Sequence, residues 1–561
     1  MIRQLTLIVF LSITCNLLFG QTYSEILGRP TNTSITMSIL FDQKMDVYWE
    51  YGTAGGNYTQ STPAVIAEKD IPLEKDMTGL LPDTKYYYRT RFRQNGTSEP
   101  FLAGGEHSFQ TPRKRGTSFT FAIEADPHLD TNSNPASYTL TLQNIFSKKP
   151  DFLIDLGDIF MSEKLPVINQ TEITKRHILY RPYFNNVCNS VPLYLALGNH
   201  EGEAGWLLNG TANSTPVMTT NTRKLYYPNP SPNSFYTGDT IAENFVGLRE
   251  DYYAFEWGDA LIIVLDPYWH TVTRPDWGWT LGKDQYDWFK KTLSSSKAKY
   301  KFVFCHHLVG GRPYDPLAER GLDTRGGSEV AGYFEMGGNN TDNTWGFDKY
   351  RPGWGKPIHQ LMVDNKVTVF FHGHDHFYGK QQKDGIIYQE VPQPSNRNIS
   401  NSSAAKYGYV DGILMAGRGY MLVTVSETGA KVDYIKTLLP TEENSTNKNG
   451  DIGYSYTVVS STTGLDDNSG TPDLMQLKQN FPNPFKSETT INYTIAAADH
   501  VQLKIYDVFG REVIALVNKY QQPGSYSVTF SPDKLPLTGG IYYYRLTVGK
   551  DSRSMKMVIS D

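Results

Sequence analysis

Cysteine is scarce in this sequence of 561 residues, which contains three cysteines but 37 tyrosines. This scarcity excludes a small scaffold held together by disulfide bonds and favours β-rich modules. An excess of charge of one sign is also lacking, because 53 basic residues stand against 58 acidic residues and leave a net charge of -5. A basic surface of the nucleic-acid-binding kind is therefore not predicted. Any phosphate-binding site must be local.

The longest mostly apolar stretch runs from Leu5 to Phe19, within residues 1–20, and a single arginine precedes it. Polar residues interrupt this stretch, and it is shorter than the roughly 20 apolar residues that span a bilayer. We therefore predict a cleavable signal peptide rather than a membrane anchor. Its removal would take Cys15 with it and leave Cys188 and Cys305, whose pairing the sequence leaves open.

The length predicts about two to four domains. Residues 21–113 alternate polar and apolar positions in short runs between Gly, Asn and Pro turns, a pattern typical of a β-sandwich. The segment Gly79 to Arg89, with its Leu81-Pro82-Asp83 turn before three tyrosines, resembles the corner of fibronectin type III domains. In those domains a tyrosine ties a loop to the strand that follows. This region contains no catalytic constellation.

Residues 114–458 have a different pattern, which predicts an α/β core. Continuous apolar runs of this kind are typical of strands covered on both faces. The runs are Phe119 to Ala125, Phe152 to Leu156, Val191 to Leu197, Leu261 to Leu265, Lys301 to Cys305 and Val367 to Phe371. Helical patterns lie between them at Ala136 to Ser147, Lys283 to Leu293 and Pro357 to Val363.

Residues 441–473 are rich in Asn, Ser, Thr, Asp and Gly, which predicts a loop at the end of the domain and a linker over 459–474. Residues 475–561 form a second β-rich region. The segments Gln479 to Phe485, Leu503 to Val513, Pro523 to Tyr526 and Gly540 to Leu546 resemble the type A C-terminal sorting domain of the type IX secretion system. That resemblance implies contact with the type IX machinery, passage across an outer membrane, and release or attachment at the cell surface.

Five short motifs follow the carboxyl ends of the buried runs, where ligands bind in open α/β sheets. Each motif alone is more often a turn or a cap than a ligand set, and only their ordered occurrence is specific. They are Asp126-Pro127-His128, Gly157-Asp158, Gly198-Asn199-His200-Glu201, Cys305-His306-His307 and Gly373-His374-Asp375-His376.

In order and strand context, these motifs resemble those of the calcineurin-like metallophosphoesterases. The resemblance covers about residues 117–440 and implies a four-layer β-sandwich flanked by helices, with all-β sandwich domains before and after it. It also implies a dinuclear centre in which Asp158 bridges two ions. One ion would be held by Asp126, His128, Asp158 and His376, and the other by Asp158, Asn199, His306 and His374.

Carboxylate and imidazole are ligands of borderline divalent ions, and the His374-x-His376 spacing places two imidazoles on one side of an extended segment. The resemblance implies that a metal-bridging hydroxide attacks phosphorus and that His200 protonates the leaving group or contacts the phosphoryl oxygens. Glu201 or Asp375 would orient neighbouring imidazoles. Since no ligand is a thiolate, Mn, Zn and Fe all remain open.

Several neighbouring residues compete for these roles. The family pattern favours His306 over His307, and we interpret His372 as a core histidine and Asp155 as a hydrogen-bonding partner. His270 is expected to pack in a loop.

This sequence departs from the pattern of one branch of the family, the purple acid phosphatases. Purple acid phosphatases have a metal-binding tyrosine three residues after the bridging aspartate, but this chain has Met161 there and retains His128, which they lack. The purple iron site is therefore not expected.

The substrate depends on the long insertions 202–250 and 308–356. Their aromatic residues, and others near them, can stack on a base or sugar, or simply pack. They include Trp206, Trp269, Trp277, Trp345 and Trp354. Arg312 and Arg325 are candidates for binding phosphate. The leading hypothesis is hydrolysis of small phosphate monoesters outside the cell. The alternatives are a phosphodiesterase or nucleotidase with the same site, and a non-catalytic surface binding protein.

Overall fold

The computed structural model describes residues 23–311 and 324–459, and in the C-terminal region 475–477, 479–480, 482–495, 498–507, 511–532, 535, 537–549 and 551–560. The predicted signal peptide and Arg312 lie outside these residues. The chain divides into two compact units, residues 1–462 and 463–561. None of the described helices is long and apolar enough to cross a membrane.

The N-terminal region is built from strands, some buried almost throughout and some with buried positions alternating with more exposed ones. They are β1 (Tyr23–Gly28), β2 (Ser34–Phe41), β3 (Met45–Gly52), β4 (Gln60–Ser61), β5 (Val65–Ala67), β6 (Leu73–Thr78), β7 (Lys85–Gln94) and β8 (Leu102–Gln110). The hydroxyl of Tyr86 accepts a hydrogen bond from the backbone N–H of Leu81 at 2.9 Å. This is the tyrosine corner that the sequence predicts, and it fixes the turn before β7.

The larger region that follows alternates strands and helices. Its strands are β9 (Phe119–Glu124), β10 (Phe152–Asp155), β11 (Leu193–Leu195), β12 (Thr237–Gly238), β13 (Tyr253–Trp257), β14 (Ala260–Val264), β15 (Tyr300–Phe304), β16 (Val369–His372), β17 (Tyr378–Lys383), β18 (Ile386–Glu390), β19 (Ile413–Met415), β20 (Gly419–Val425), β21 (Ala430–Lys436) and β22 (Ile452–Val458). Its helices are α1 (Pro135–Lys148), α2 (Gln170–Cys188), α3 (Thr215–Tyr226), α4 (Lys283–Ser295), α5 (Phe334–Gly337), α6 (Phe347–Tyr350), α7 (Ile358–Asp364) and α8 (Ala404–Tyr407).

Two sheets pack face to face in this region. The first has the order β22-β21-β20-β9-β10-β11-β1-β2-β6 and the second β12-β13-β14-β15-β16-β18-β17-β19. Phe121 and Phe152 from the first sheet share one apolar core with Phe302 and Phe371 from the second. Helices α1 and α2 cover the outer face of the first sheet, and α4 and α7 cover the second. The predicted four-layer arrangement is confirmed.

The first sheet continues into the N-terminal region, because β1 pairs in parallel with β11 and antiparallel with β2. Arg181 of α2 reinforces this junction. Its buried guanidinium donates hydrogen bonds to the backbone oxygens of Ser24 and Ser38 at 3.3 and 3.0 Å. The remaining strands, β3, β4, β5, β7 and β8, form a separate sheet. The predicted boundary at residue 113 thus falls between β8 and β9 within one compact unit.

All six predicted core strands and all three predicted helices are present, with ends shifted by one or two residues. The structure adds α2 and α3, which the sequence pattern did not reveal. In α2 the buried face includes the polar residues His177 and Arg181, and Pro182 lies inside the helix, so its apolar periodicity is weak. The prediction of a loop was wrong for Ile452–Val458, because an edge strand needs only alternate apolar positions, here Tyr454, Tyr456 and Val458.

Cys188 and Cys305 are both buried and unpaired.

The C-terminal unit has strands β23 (Met475–Leu477), β24 (Thr489–Ile495), β25 (Asp499–Tyr506), β26 (Glu512–Gln521), β27 (Gly524–Phe530), β28 (Gly540–Val548) and β29 (Asp551–Ile559). They form two sheets of order β23-β24-β27 and β26-β25-β28-β29 around an apolar core that contains Ile491, Leu503 and Tyr544. This is the predicted all-β sandwich.

Candidate metal centre

Each of the five motifs lies just beyond the carboxyl end of a buried strand, so the two sheets bring them together. The loops after β9, β10 and β11 meet the loops after β15 and β16. Asp126, His128, Asp158, His374 and His376 all have positive φ angles, between 54° and 78°. Such angles are unfavourable for residues with a Cβ and cluster at functional sites, where the surrounding structure enforces them.

Two buried aspartates lie at the middle of the cluster. One oxygen of each is fixed by a backbone N–H: Asp126 Oδ2 accepts from His374 and Asp158 Oδ1 accepts from His200, each at 2.8 Å. The other oxygens, Asp126 Oδ1 and Asp158 Oδ2, are buried and have no hydrogen-bond partner among the described residues. A buried carboxylate oxygen without a donor is costly, so this arrangement fits a cation.

Imidazoles and an amide surround the oxygen of Asp158. His306 Nε2 lies 3.3 Å from Asp158 Oδ2, 3.2 Å from Asn199 Oδ1 and 3.2 Å from His374 Nδ1. The other ring nitrogen of His306, Nδ1, donates to the carbonyl of Leu156 at 2.9 Å, so Nε2 is the ring nitrogen that faces the cluster. These atoms converge on one small volume, as metal ligands do.

A second group of donors surrounds Asp126. His376 Nε2 lies 3.3 Å from Asp126 Oδ1 and 3.1 Å from His128 Nε2. His128 Nε2 is also 3.7 Å from Asp158 Oδ2. The potential ligand atoms within 4.8 Å of one another form two sets, Asp126, Asp158, His306 and His374, and Asp126, His128 and His376. All seven predicted ligands therefore lie in one cluster, and both aspartates lie at its centre.

The charges in this cluster depend strongly on each other. Burial alone would raise the pKa of both aspartates, but the imidazoles outweigh it. His376 and His306 lower the pKa of Asp126, and His306 and His200 lower that of Asp158, below the usual range. Burial opposes protonation of His306, yet the two carboxylates raise its pKa to about 9. The cluster thus favours ionised carboxylates facing positive charge.

His200 lies beside the cluster and is not among its ligand sets. Its Nδ1 is 2.7 Å from Glu163 Oε1, and its Nε2 is 3.9 Å from Asp158 Oδ2. Burial opposes protonation, but Asp158 and the hydrogen bond to Glu163 raise the pKa of His200 above its usual value. No motif spacing connects Glu163 to His200, so this partner was not predicted from the sequence.

Two buried glutamates hold the ligand loops by their backbones. Glu201 accepts from the N–H groups of Asp158, Ile159 and Phe160 at 2.9, 2.6 and 3.2 Å, so it orients the loop rather than an imidazole. Glu390 accepts from the N–H groups of Asp375 and His376 at 3.0 and 3.1 Å. Glu390 lies on β18, outside all five motifs, and was not predicted.

Asp375 is likewise not hydrogen-bonded to an imidazole of the described residues. Its carboxylate accepts from Arg325 Nη1 at 2.8 Å and from the hydroxyl of Tyr409 at 2.8 Å. Arg325 Nη1 also donates to the backbone oxygen of His374 at 2.6 Å, and its guanidinium lies over the ring of Tyr407. Arg325 therefore adjoins the centre and is fixed to the loop that carries two of its candidate ligands.

Glycines allow the ligand loops to approach each other closely. A Cβ at Gly198 would lie 2.3 Å from the backbone nitrogen of Asp158, and one at Gly373 would lie 2.5 Å from Asp126 Oδ2. Either contact is far too short for carbon, so a side chain at these positions would displace a candidate ligand.

The competing residues lie outside the cluster. His307 packs its buried ring against Tyr268 and Trp279. His372 Nδ1 is 2.8 Å from Glu390 Oε2, and Asp155 Oδ1 accepts from the N–H of Gly157 at 2.8 Å, as expected of a hydrogen-bonding partner.

The tryptophans named in the sequence analysis mostly pack against neighbours. Trp277 stacks on Tyr350 and Trp354 lies against Tyr286, with ring centroids 4.6 and 4.5 Å apart. Trp269 is buried, whereas Trp345 is 54% exposed. The guanidinium of Arg274 lies 4.1 Å from the ring centroid of Trp206.

Comparison with known proteins agrees with this geometry. Residues 119–378 match the family model described as calcineurin-like phosphoesterase, and residues 479–560 match that of the secretion system C-terminal sorting domain. The structure of PhoD is similar over 80% of this chain and 92% of that chain, with 16% identity and a TM-score of 0.57. No curated protein matches the sequence.

A purple acid phosphatase, PPD1 from seeds of yellow lupin (Lupinus luteus), is also similar in structure. The match covers 78% of this chain and 74% of that chain, with 13% identity and a TM-score of 0.52. At these identities, the two likenesses show a common fold.

Proposed function

Since residues 119–378 form a domain of the calcineurin-like phosphoesterase family, we propose that the protein is a metal-dependent hydrolase of phosphate monoesters. The observation that carries this proposal is the pair of buried aspartates. Asp126 and Asp158 each have one oxygen fixed by a backbone N–H and one buried oxygen, without a hydrogen-bond donor, that faces imidazole nitrogens. Such a site favours cations and disfavours neutral ligands.

The donor set suits two metal ions. We assign Asp126, His128, Asp158 and His376 to one ion and Asp158, Asn199, His306 and His374 to the other. Two ions held there would lower the pKa of a bound water and neutralise charge on the phosphate. Carboxylate, amide and imidazole ligands suit Mn, Zn and Fe alike.

His200 is the proposed catalytic acid. It is close to Asp158 without belonging to a ligand set, Glu163 holds its Nδ1, and its Nε2 lies 3.9 Å from Asp158 Oδ2 and 3.3 Å from Asn199 Nδ2. From this position Nε2 can deliver a proton to the leaving oxygen of a phosphate ester. Glu163 keeps the ring in that orientation.

The site of action follows from the C-terminal unit. The sorting domain over residues 479–560 indicates export through the type IX secretion system. We propose that residues 1–20 direct the preceding step as a signal peptide and that the enzyme acts at the cell surface or in the medium. Its small phosphorylated substrates would then release inorganic phosphate outside the cell.

A paired assay tests this function. Purified protein, stripped with chelator and reloaded with Mn, Zn or Fe, is assayed on 4-nitrophenyl phosphate and on bis(4-nitrophenyl) phosphate. We expect turnover only after reloading and faster hydrolysis of the monoester. Faster hydrolysis of the diester would identify a phosphodiesterase. Absence of turnover with every metal would leave a binding protein.

A further inference from the structure

A cleft of about 310 Å³ lies far from the metal centre, at the opposite end of β10. Asp151, which precedes β10, lines the cleft, whereas Asp158 follows the strand. At about 3.3 Å per extended residue, the two sites are on the order of 20 Å apart. The lining combines the start of β7, the end of β8 and the C-terminal end of α1. The proposed hydrolysis therefore does not use this cleft.

The floor of the cleft contains a paired acidic and basic residue. Asp151 accepts hydrogen bonds from Arg113 Nε and Nη2 at 2.8 and 3.0 Å, and a third from Trp257 Nε1 at 3.1 Å. Beside this pair, the side-chain amide of Gln110 donates to the backbone oxygen of Thr111 at 3.0 Å. Since the charge of Asp151 is satisfied by Arg113, the floor does not itself call for a charged ligand.

The rim of the cleft is cationic and aromatic. Lys85 and Lys149 are exposed, and neither forms an ion pair with a described residue. Lys85 Nζ lies 5.1 Å from the ring centroid of Tyr87. Phe146 lies in the last turn of α1, and 42% of its surface is exposed at this rim instead of being buried in the core. Two lysines without acidic partners beside two aromatic rings favour an anionic ligand with an apolar face.

We propose that this cleft binds acidic carbohydrate. Tyr87 and Phe146 offer faces for the C–H side of a sugar ring, Gln110 and two serines of the lining offer hydrogen bonds to hydroxyl groups, and the two lysines pair with carboxylates or sulfates. The volume is at the lower end of the range for small-molecule sites, about 300–1,000 Å³. Because the rim is exposed, a longer chain can continue past it. The cleft would thus attach the exported enzyme to acidic polysaccharide.

Titration calorimetry on the full chain tests this proposal, with hexagalacturonate as the acidic probe and cellohexaose as the neutral one. We expect hexagalacturonate to bind and cellohexaose to bind at least about tenfold more weakly. The double variant Lys85→Ala/Lys149→Ala should lose about tenfold in affinity, and Phe146→Ala about fivefold. Thermal unfolding and phosphoester turnover should stay as in the wild type.

Lys148→Ala is the matched control for the single variant Lys149→Ala, because each removes one positive charge and Lys148 does not line the cleft. This control should bind hexagalacturonate like the wild type. Failure of the wild type to bind hexagalacturonate, or equal affinity for the two sugars, would overturn the proposal. An equal loss in Lys148→Ala and Lys149→Ala would also overturn it, since it would indicate attraction by net charge alone.

Discussion

The catalytic region and the C-terminal sandwich both consist of buried strands, but they differ in where they place polar side chains. In the C-terminal unit, β24 and β25 alternate buried and less buried positions, and the core is apolar. In the catalytic region, strands such as β10 and β16 are buried throughout and end at buried Asp and His residues. Burying ionisable groups is costly unless they are paired or bind a metal, so their concentration in this region supports the proposed metal centre.

The largest effect is expected from Asp158→Asn. This change removes the charge that faces both groups of imidazoles, so turnover of a phosphate monoester should fall by about 10³-fold or more. The matched control is Asp384→Asn, since Asp384 is 62% exposed and pairs with His359 outside the cluster. Steady-state kinetics on reloaded protein measures both. Equal turnover of Asp158→Asn and the wild type would contradict the proposed role.

His200→Ala should have the next largest effect. Loss of a positioned proton donor lowers kcat by about 10²-fold, while metal content should stay as in the wild type because His200 is not in a ligand set. Kinetics and elemental analysis of the same sample separate these effects. Loss of metal together with activity would instead make His200 a ligand. A leaving group of low pKa should partly rescue the variant, since it needs no proton.

Glu163→Gln should have a smaller effect of the same kind. The amide oxygen of glutamine is a weaker acceptor than the carboxylate for the hydrogen bond from His200 Nδ1. We therefore expect kcat to fall about tenfold with little change in KM. The pH profile of kcat distinguishes this role from a structural one. Because the charged ring of His200 would be less stabilised, its pKa should fall, and the profile should shift to lower pH. A profile identical to that of the wild type would make Glu163 a structural residue.

The smallest effect on turnover is expected from Ile505→Ala, which tests the C-terminal unit. Ile505 is fully buried, so the change should destabilise that unit by about 2–5 kcal/mol. Turnover by the remaining folded catalytic region should not change. Denaturant unfolding followed together with activity measures this separation, and a parallel loss of activity would show that the sandwich supports the active site.

Much of the difference between the catalytic region and the C-terminal sandwich could be predicted from the sequence. Buried strands are continuous apolar runs, and short polar motifs at their carboxyl ends predicted which side chains the fold gathers into the cluster of candidate ligands. Spacing alone could not choose between His306 and His307, which are adjacent. In the folded chain, His306 joins the cluster and His307 packs against Trp279.

Residues that act through tertiary contacts could not be predicted. Glu390 reaches the backbone of His376 from another strand, and Glu163 reaches His200 from a short turn, so neither has a fixed offset from its partner. The left-handed backbone at Asp126 and Asp158 also arises from the surrounding loops rather than from a glycine. Likewise, the buried face of α2 includes the polar residues His177 and Arg181 beside apolar ones, which weakens its apolar periodicity.

The most direct test of the central claim is scanning calorimetry of the full chain with and without metal. If the buried carboxylates and imidazoles exist to hold ions, stripping the metal should lower the unfolding temperature of the larger unit by several degrees, and reloading should restore it. The transition of the C-terminal unit should stay fixed. An unfolding temperature of the larger unit that does not respond to metal, with no metal retained on reloading, would contradict the claim.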